Sequence, residues 1–289
     1  MILPNKDILK YIHNIDILTK KLLSGLLTGD FRTKKQGTGF EFHQLRDYQQ
    51  GDDIRFIDWR SSAKSKKILV RQYIEDRNRS IIIATDFSNS CNYSSIDISK
   101  LDLIKQISAI LLFATYYNKD HLHTIFFTDK IESIFQVKGS KNSLIAIVKN
   151  IFSYKPKSLK TDINKLLKYL LSIKSRNSLV FILSDFFGDI DKNLLSLASK
   201  KHDIIAIRFL DRREINFPEI GILDIKDSET GTISSFNINN DYVFNSSLKL
   251  WYDNQNDILK LANIDYLDII VGSDFKKDFI KFLKYRVIS

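Results

Sequence analysis

The chain has 289 residues, 44% of them hydrophobic, and a formal net charge of +10. That length suits one large domain, or one with a smaller companion. The longest apolar run, residues 109–114, is too short to cross a bilayer, and a single cysteine, Cys91, excludes an internal disulfide framework. Asp7 and Asp16 interrupt the start before a signal-peptide core can form, so a cytoplasmic protein is expected. The basic residues are scattered, without an arginine-rich block, and the aromatics lie inside apolar runs. That pattern argues against a nucleic-acid or lipid-surface binder.

Residues 16–27 have helical spacing, with Ile17, Leu18, Leu22, Leu23 and Leu26 on one broad face. Gly29 and Gly37 to Gly39 then punctuate the chain. From Gly39 to Glu75 acids and arginines interleave: Glu41, Arg46, Asp47, Asp52, Asp53, Arg55, Asp58, Arg60. Alternating pieces around a turn at Gly51 predict short strands. The segment reads either as a small β-rich module with a partly buried, paired polar network or as a surface hairpin with weak ion pairs. Domain boundaries are expected at 1–78 for helix plus module and 79–289 for the rest.

Residues 80–85 are apolar and β-branched, and predict a buried parallel strand. A helix follows over 98–118, with Leu101, Ile104, Ile107, Leu111 and Leu112 in register. Strands are expected at 122–127 and 131–137, the second an antiparallel hairpin partner. Ser140 caps a helix over 140–152, and Thr161 and Asp162 open another that runs to 173. A second buried strand spans 179–183. A helix near 192–200, a strand over 203–209, and a turn-rich edge ribbon over 211–245 come next. A helix over 246–262, a strand over 266–271 and a helix over 274–285 close the chain. The alternation predicts an α/β fold, with a mainly parallel sheet and helices on both faces.

Both buried strands end on an acid. Asp86, Ser88 and Ser90 follow the first at alternate positions, Asp185 follows the second, and Thr161 sits at a helix start. Ligands bind at the carboxyl ends of strands in open α/β sheets. If the two strands are neighbours, two carboxylates and three hydroxyls surround one site. Such hard oxygens suit Mg²⁺ or another divalent cation, with a coordination position left for a partner's acidic side chain. Taken singly, each residue has an ordinary alternative as a cap or turn residue.

Other chemistries fit less well. A haloacid-dehalogenase phosphatase needs an aspartate where Ser88 stands. The chain has no Walker run, no complete dinucleotide loop and no nucleophile elbow. The five histidines form no zinc motif; His121 and His123 share a strand face, where an ordinary edge role is expected. Cys91 reads as packing.

Gly39, Glu41, Leu45, Arg46, Tyr48, Gly51, Asp52, Asp53, Arg55, Ile57, Asp58 and Trp59, followed by Asp86, Ser88 and Ser90, resemble the signature of the domain-of-unknown-function-58 family. Ser184 to Phe186, His202 and Asp203, Asp211 and Glu214, and Asp227 to Gly231 extend the likeness, which runs from about Leu18 to Arg286. The family comprises bacterial proteins with a von Willebrand factor A-like domain. The resemblance implies a Rossmann-like fold with a metal-ion-dependent adhesion site at Asp86, Ser88, Ser90, Thr161 and Asp185, the last acting directly or through water. It also implies work with a MoxR-type AAA+ ATPase on client proteins. The expectation is a non-enzymatic, Mg²⁺-dependent adaptor that binds that ATPase and an acidic-residue-bearing client. A metal-dependent hydrolase using the same oxygens, or a nucleic-acid binder using the basic N-terminal part, are the alternatives. Arg46, Arg55 and Asp58 are expected to lock the small module against the larger domain.

Overall fold

The computed structural model describes residues 5–25, 40–65, 67–75, 80–137, 139–215, 222–226, 232–237 and 241–288. Its helices are α1 (Asn5–Gly25), α2 (Trp59–Ser65), α3 (Lys100–Tyr117), α4 (Lys141–Ser153), α5 (Ile163–Ser172), α6 (Lys192–Lys201), α7 (Arg212–Ile215), α8 (Asp241–Leu261) and α9 (Phe275–Ile288). Its strands are β1 (Phe40–Asp47), β2 (Leu69–Glu75), β3 (Ser80–Asp86), β4 (His121–Phe127), β5 (Ile131–Val137), β6 (Leu179–Ser184), β7 (Asp203–Leu210), β8 (Ile222–Lys226), β9 (Ile233–Asn237) and β10 (Asp265–Ile270).

Six strands form one sheet in the order β10-β7-β6-β3-β4-β5. All neighbours are parallel except β5, which returns antiparallel along β4. The β-branched runs of β3, β6 and β7 are buried on both faces, as central strands of a parallel sheet require. One face packs Ile81, Ile83, Phe181, Leu183 and Ile207 against α1, α3, α4 and α9. The other packs Ile82, Ala84, Val180, Ile182 and Ala206 against α5, α6 and α8. Burying one such side chain contributes about 1.5–3 kcal/mol, so both helix layers are strongly held. Caps start the helices where short polar residues stand: Ser99 for α3, Ser140 for α4, Asp162 for α5 and Asp191 for α6.

The chain forms two compact units. The larger gathers α1 with residues 80–289, and the smaller is residues 36–79. The boundary expected after residue 78 therefore misplaces α1. Its Ile12, Ile15 and Leu22 enter the core shared with α3 and α4, and its buried Asp16 accepts hydrogen bonds from Tyr117 and Lys141. The buried face also includes Thr19, while Ile17 is exposed. The apolar stripe is thus rotated from the expected one, and the helix starts a full eleven residues earlier than its spacing suggested.

The smaller unit is less β-rich than expected. It pairs β1 with β2, but adds a 3-10 turn at Ile54–Phe56 and the helix α2. Its charges hold turns. Arg46 bridges Asp52 through two 2.7 Å bonds, Asp53 caps the 3-10 turn and binds Arg55, and Asp58 caps α2 while accepting from Arg71. Arg46, Arg55 and Asp58, expected to dock the module on the larger domain, each have these partners within the module. Gly51 adopts φ +109° in the turn that precedes Asp52, a conformation that favours glycine.

Two further expectations change. Residues 211–245 were read as an edge ribbon; β8 and β9 instead form a separate two-stranded sheet, preceded by the short α7. The helix expected from 246 begins at Asp241. Gly29, Gly37 to Gly39 and Asp227 to Gly231 lie outside the described residues.

Candidate metal centre

From β3 the chain moves to β4 on one side, and later returns to β6 on the other side of β3. Helix α3, which follows β3, packs on one face, and α6, which follows β6, packs on the opposite face. The loops leaving β3 and β6 therefore part at this switch point on the carboxyl edge, the place where open α/β sheets bind ligands. All five predicted residues lie there.

Asp86 ends β3 and is fully buried. Its Oδ1 accepts from the Ser88 amide at 2.8 Å. Its Oδ2 accepts from the Ser184 hydroxyl at 2.6 Å. Ser184 in turn accepts from the Phe186 amide, so its proton is aimed at Asp86. A 3-10 turn at Asn89–Asn92 brings Ser90 back beside Ser88, with hydroxyl oxygens 3.1 Å apart. Thr161 lies 3.5 Å from the Ser90 hydroxyl. The Asn89 amide donates to the Leu159 carbonyl, which ties the two loops together.

Asp185 stands one residue beyond β6. Phe186 adopts φ +56°, a rare conformation for a bulky residue and a form of strain often found at functional sites. The turn lets the Phe187 amide reach back to Asp185 Oδ1 at 3.1 Å. The nearest ligand atoms of Asp86, Asp185 and Cys91 all lie within 4.8 Å of one another. Burial, and then the negative charge of Asp185, raise the Asp86 carboxyl to about 7.

Three further residues complete the site and were not picked out as its members. Lys100, in the first turn of α3, is buried, with Nζ 2.9 Å from Asp185 Oδ2 and 2.6 Å from Glu214 Oε1. Burial opposes its charge, but Asp185 and Glu214 outweigh that and hold the ammonium protonated. Glu214, on α7, also accepts from the Asp211 amide. Asp211 accepts from the Ser95 amide, in the loop that follows Ser90. One signal for Lys100 was available: a lysine at a helix start is disfavoured by the helix dipole, and so calls for anions nearby.

The donor set fits a hard divalent cation. Two carboxylates and three hydroxyls are oxygen ligands, and of the two carboxylates only Asp185 is paired with Lys100. Cys91 adds little to such a set. Burial first, and then Asp185 and Asp86, raise its thiol well above the usual range, which keeps it protonated and a poor ligand. His121 and His123 sit at the start of β4, at the opposite end of the sheet.

A profile of the family described as Protein of unknown function DUF58 matches residues 44–249. The chain belongs to the DUF58 family. Among relatives of this DUF58 protein are the uncharacterized proteins Mb1516 of Mycobacterium bovis and Rv1480 of Mycobacterium tuberculosis. Each is 26% identical over 231 residues, covering 78% of this chain and 73% of the relative. Solved structures similar to it include the conserved hypothetical protein BatB from Bacteroides thetaiotaomicron, at 16% identity and a TM-score of 0.47, over 73% of this chain and all of that one. Another is an aerotolerance-related membrane protein from Bacteroides fragilis, at 15% identity and a TM-score of 0.43, over 73% of this chain and 98% of that one. Among the described residues of this DUF58 chain, no helix is long and apolar enough to cross a membrane.

Proposed function

We propose that the larger unit is a von Willebrand factor A-like domain that binds Mg²⁺, or another divalent cation, and uses it to hold an acidic side chain of a partner protein. The observation that carries this reading is the meeting of Asp86, Ser88, Ser90, Thr161 and Asp185 at the carboxyl edge between β3 and β6. Asp86 would supply charge, Ser88 and Ser90 neutral oxygens, and Thr161 and Asp185 the opposite side. A bound cation would act here as a Lewis acid with an open position.

The rim suits a protein partner. Leu159 and Phe187, two residues before Thr161 and two after Asp185, are 52% and 56% exposed. A cavity of about 260 Å³ beside Phe187 is lined by Thr161, Asp162, Asn164, Phe187, Asp189 and Ile190. Exposed apolar side chains give a partner surface to bury, and the polar groups between them give it hydrogen bonds. The role is then binding rather than catalysis. By the family resemblance, the partners are a MoxR-type AAA+ ATPase and an acidic client, bridged by this chain.

Calorimetry with Mg²⁺ tests the reading. Wild type binds, and Asp86→Ala does not; equal binding by both rejects the assignment. A chelator-sensitive pull-down should then recover the partners. Turnover of a generic phosphoester that Asp86→Ala abolishes would replace the adaptor reading with a hydrolase.

A further inference from the structure

The site holds a cation of its own. Lys100 Nζ lies between Asp185 and Glu214, at 2.9 and 2.6 Å, and is 1% exposed. Ion pairing of this depth is costly unless the geometry is well satisfied. A lysine also loses the favourable end of the helix when it sits in the first turn. Its place at the start of α3 therefore calls for a reason beyond anchoring α3.

Charge balance supplies one. Asp86, Asp185, Asp211 and Glu214 make four carboxylates against one ammonium, which leaves three negative charges. One divalent cation reduces them to one, so the open coordination position faces an anion with little net repulsion. Were Lys100 neutral, the same cation would be held more tightly, but the loaded site would carry twice that negative charge and would repel an incoming carboxylate more strongly. Glu214 acts in the opposite sense. It is also joined through the Asp211 amide to the loop after β7, so that loop shares the balance.

We propose that Lys100 is a specificity-determining residue that weakens the cation's hold so that the loaded site accepts an anionic group from a partner, with Glu214 setting how strongly it does so. This inference rests on the metal-binding reading above. It needs only Lys100 and Glu214 in addition.

Variants of the full chain test it, with Mg²⁺ in calorimetry and acetate added to Mn²⁺-loaded protein in a water-proton relaxation titration. Even when heavily screened, one unit charge beside a divalent ion shifts its affinity by about tenfold or more. Lys100→Met should bind Mg²⁺ about tenfold tighter and acetate correspondingly weaker. Glu214→Gln should bind Mg²⁺ several-fold weaker, roughly, by the same electrostatics. Lys100→Arg should stay near wild type. A merely structural role for Lys100 would weaken Mg²⁺ binding in both Lys100→Met and Glu214→Gln, so the opposite signs carry the proposal. Unchanged Mg²⁺ affinity in either variant overturns it while leaving the metal site standing. If Lys100→Met does not fold, Lys100→Gln, which removes the charge but keeps a hydrogen-bond donor, takes its place, and weaker Mg²⁺ binding there overturns the proposal. Wild type that takes up no Mg²⁺ removes the metal reading and this inference together.

Discussion

The Arg55–Asp53 pair of the small module and the Lys100–Asp185 pair of the strand edge have the same chemistry in opposite settings. The first has side chains 84% and 38% exposed; the second has 1% and 2%. Water screens the exposed pair and gains little from its formation. The buried pair has lost its water, so its members depend for their stabilisation on each other and on the few groups beside them, Glu214 and the Phe187 amide. The module has the denser charge along the chain, but the edge has the charges that matter. Local crowding of acids and arginines in a sequence marks turns; burial decides where removing a charge is felt.

The largest break in that contrast should come from Lys100→Met in metal-free protein. It leaves Asp185 and Glu214 without their cation, and urea denaturation should show a loss of about 3–5 kcal/mol. A loss within measurement error would place the buried pair with the exposed one.

The next effect is a pH dependence. Asp86 is raised from the ordinary 3.8 to about 7 in the folded protein, by burial and then by Asp185. The folded state therefore binds that proton more tightly than the unfolded chain. Its contribution to stability is full below about pH 4 and is lost as pH rises through about 7. Metal-free protein should thus lose stability across that window, and Asp86→Asn should flatten the loss. A wild-type curve without that fall would show that Asp86 feels less of its surroundings than its burial implies.

The smallest effect sharpens the other side. Arg55→Ala should leave the thermal midpoint unchanged, because the Arg55 guanidinium stands in solvent. A clear drop would give the module's exposed pairs a structural weight that their setting denies.

Much of the architecture was legible because the strongest patterns were local. The buried runs at 80–85 and 179–183 are β-branched and end on acids. Their length and branching suit a central parallel strand, and because the two strands pair as neighbours, Asp86 and Asp185 come to one edge. Ser90, at alternate spacing after β3, and Thr161, at a helix start, come within 3.5 Å of each other. Lys100 was not found, because within an amphipathic helix a lysine reads as a solvated residue. Its partner Glu214 is over a hundred residues away, a pairing that only tertiary structure makes. The length and face of α1 were misread for a related reason. Its contact surface is set by α3 and α4 and includes Asp16, which no apolar stripe would contain. In the module, the strand pattern hid α2, whose start is fixed by the Asp58 cap rather than by apolar spacing.

The pairing of Phe40 with Glu75 has a wider meaning. Helix α1 and strand β3 belong to the same unit, so residues 36–79 interrupt it as an insertion. Because the first and last strands of that excursion pair, the small unit brings its own two ends together at Phe40 and Glu75. A short linker joining those ends would close the unit on itself at little entropic cost, which makes residues 40–75 a part that an engineer can lift out and study apart from its host.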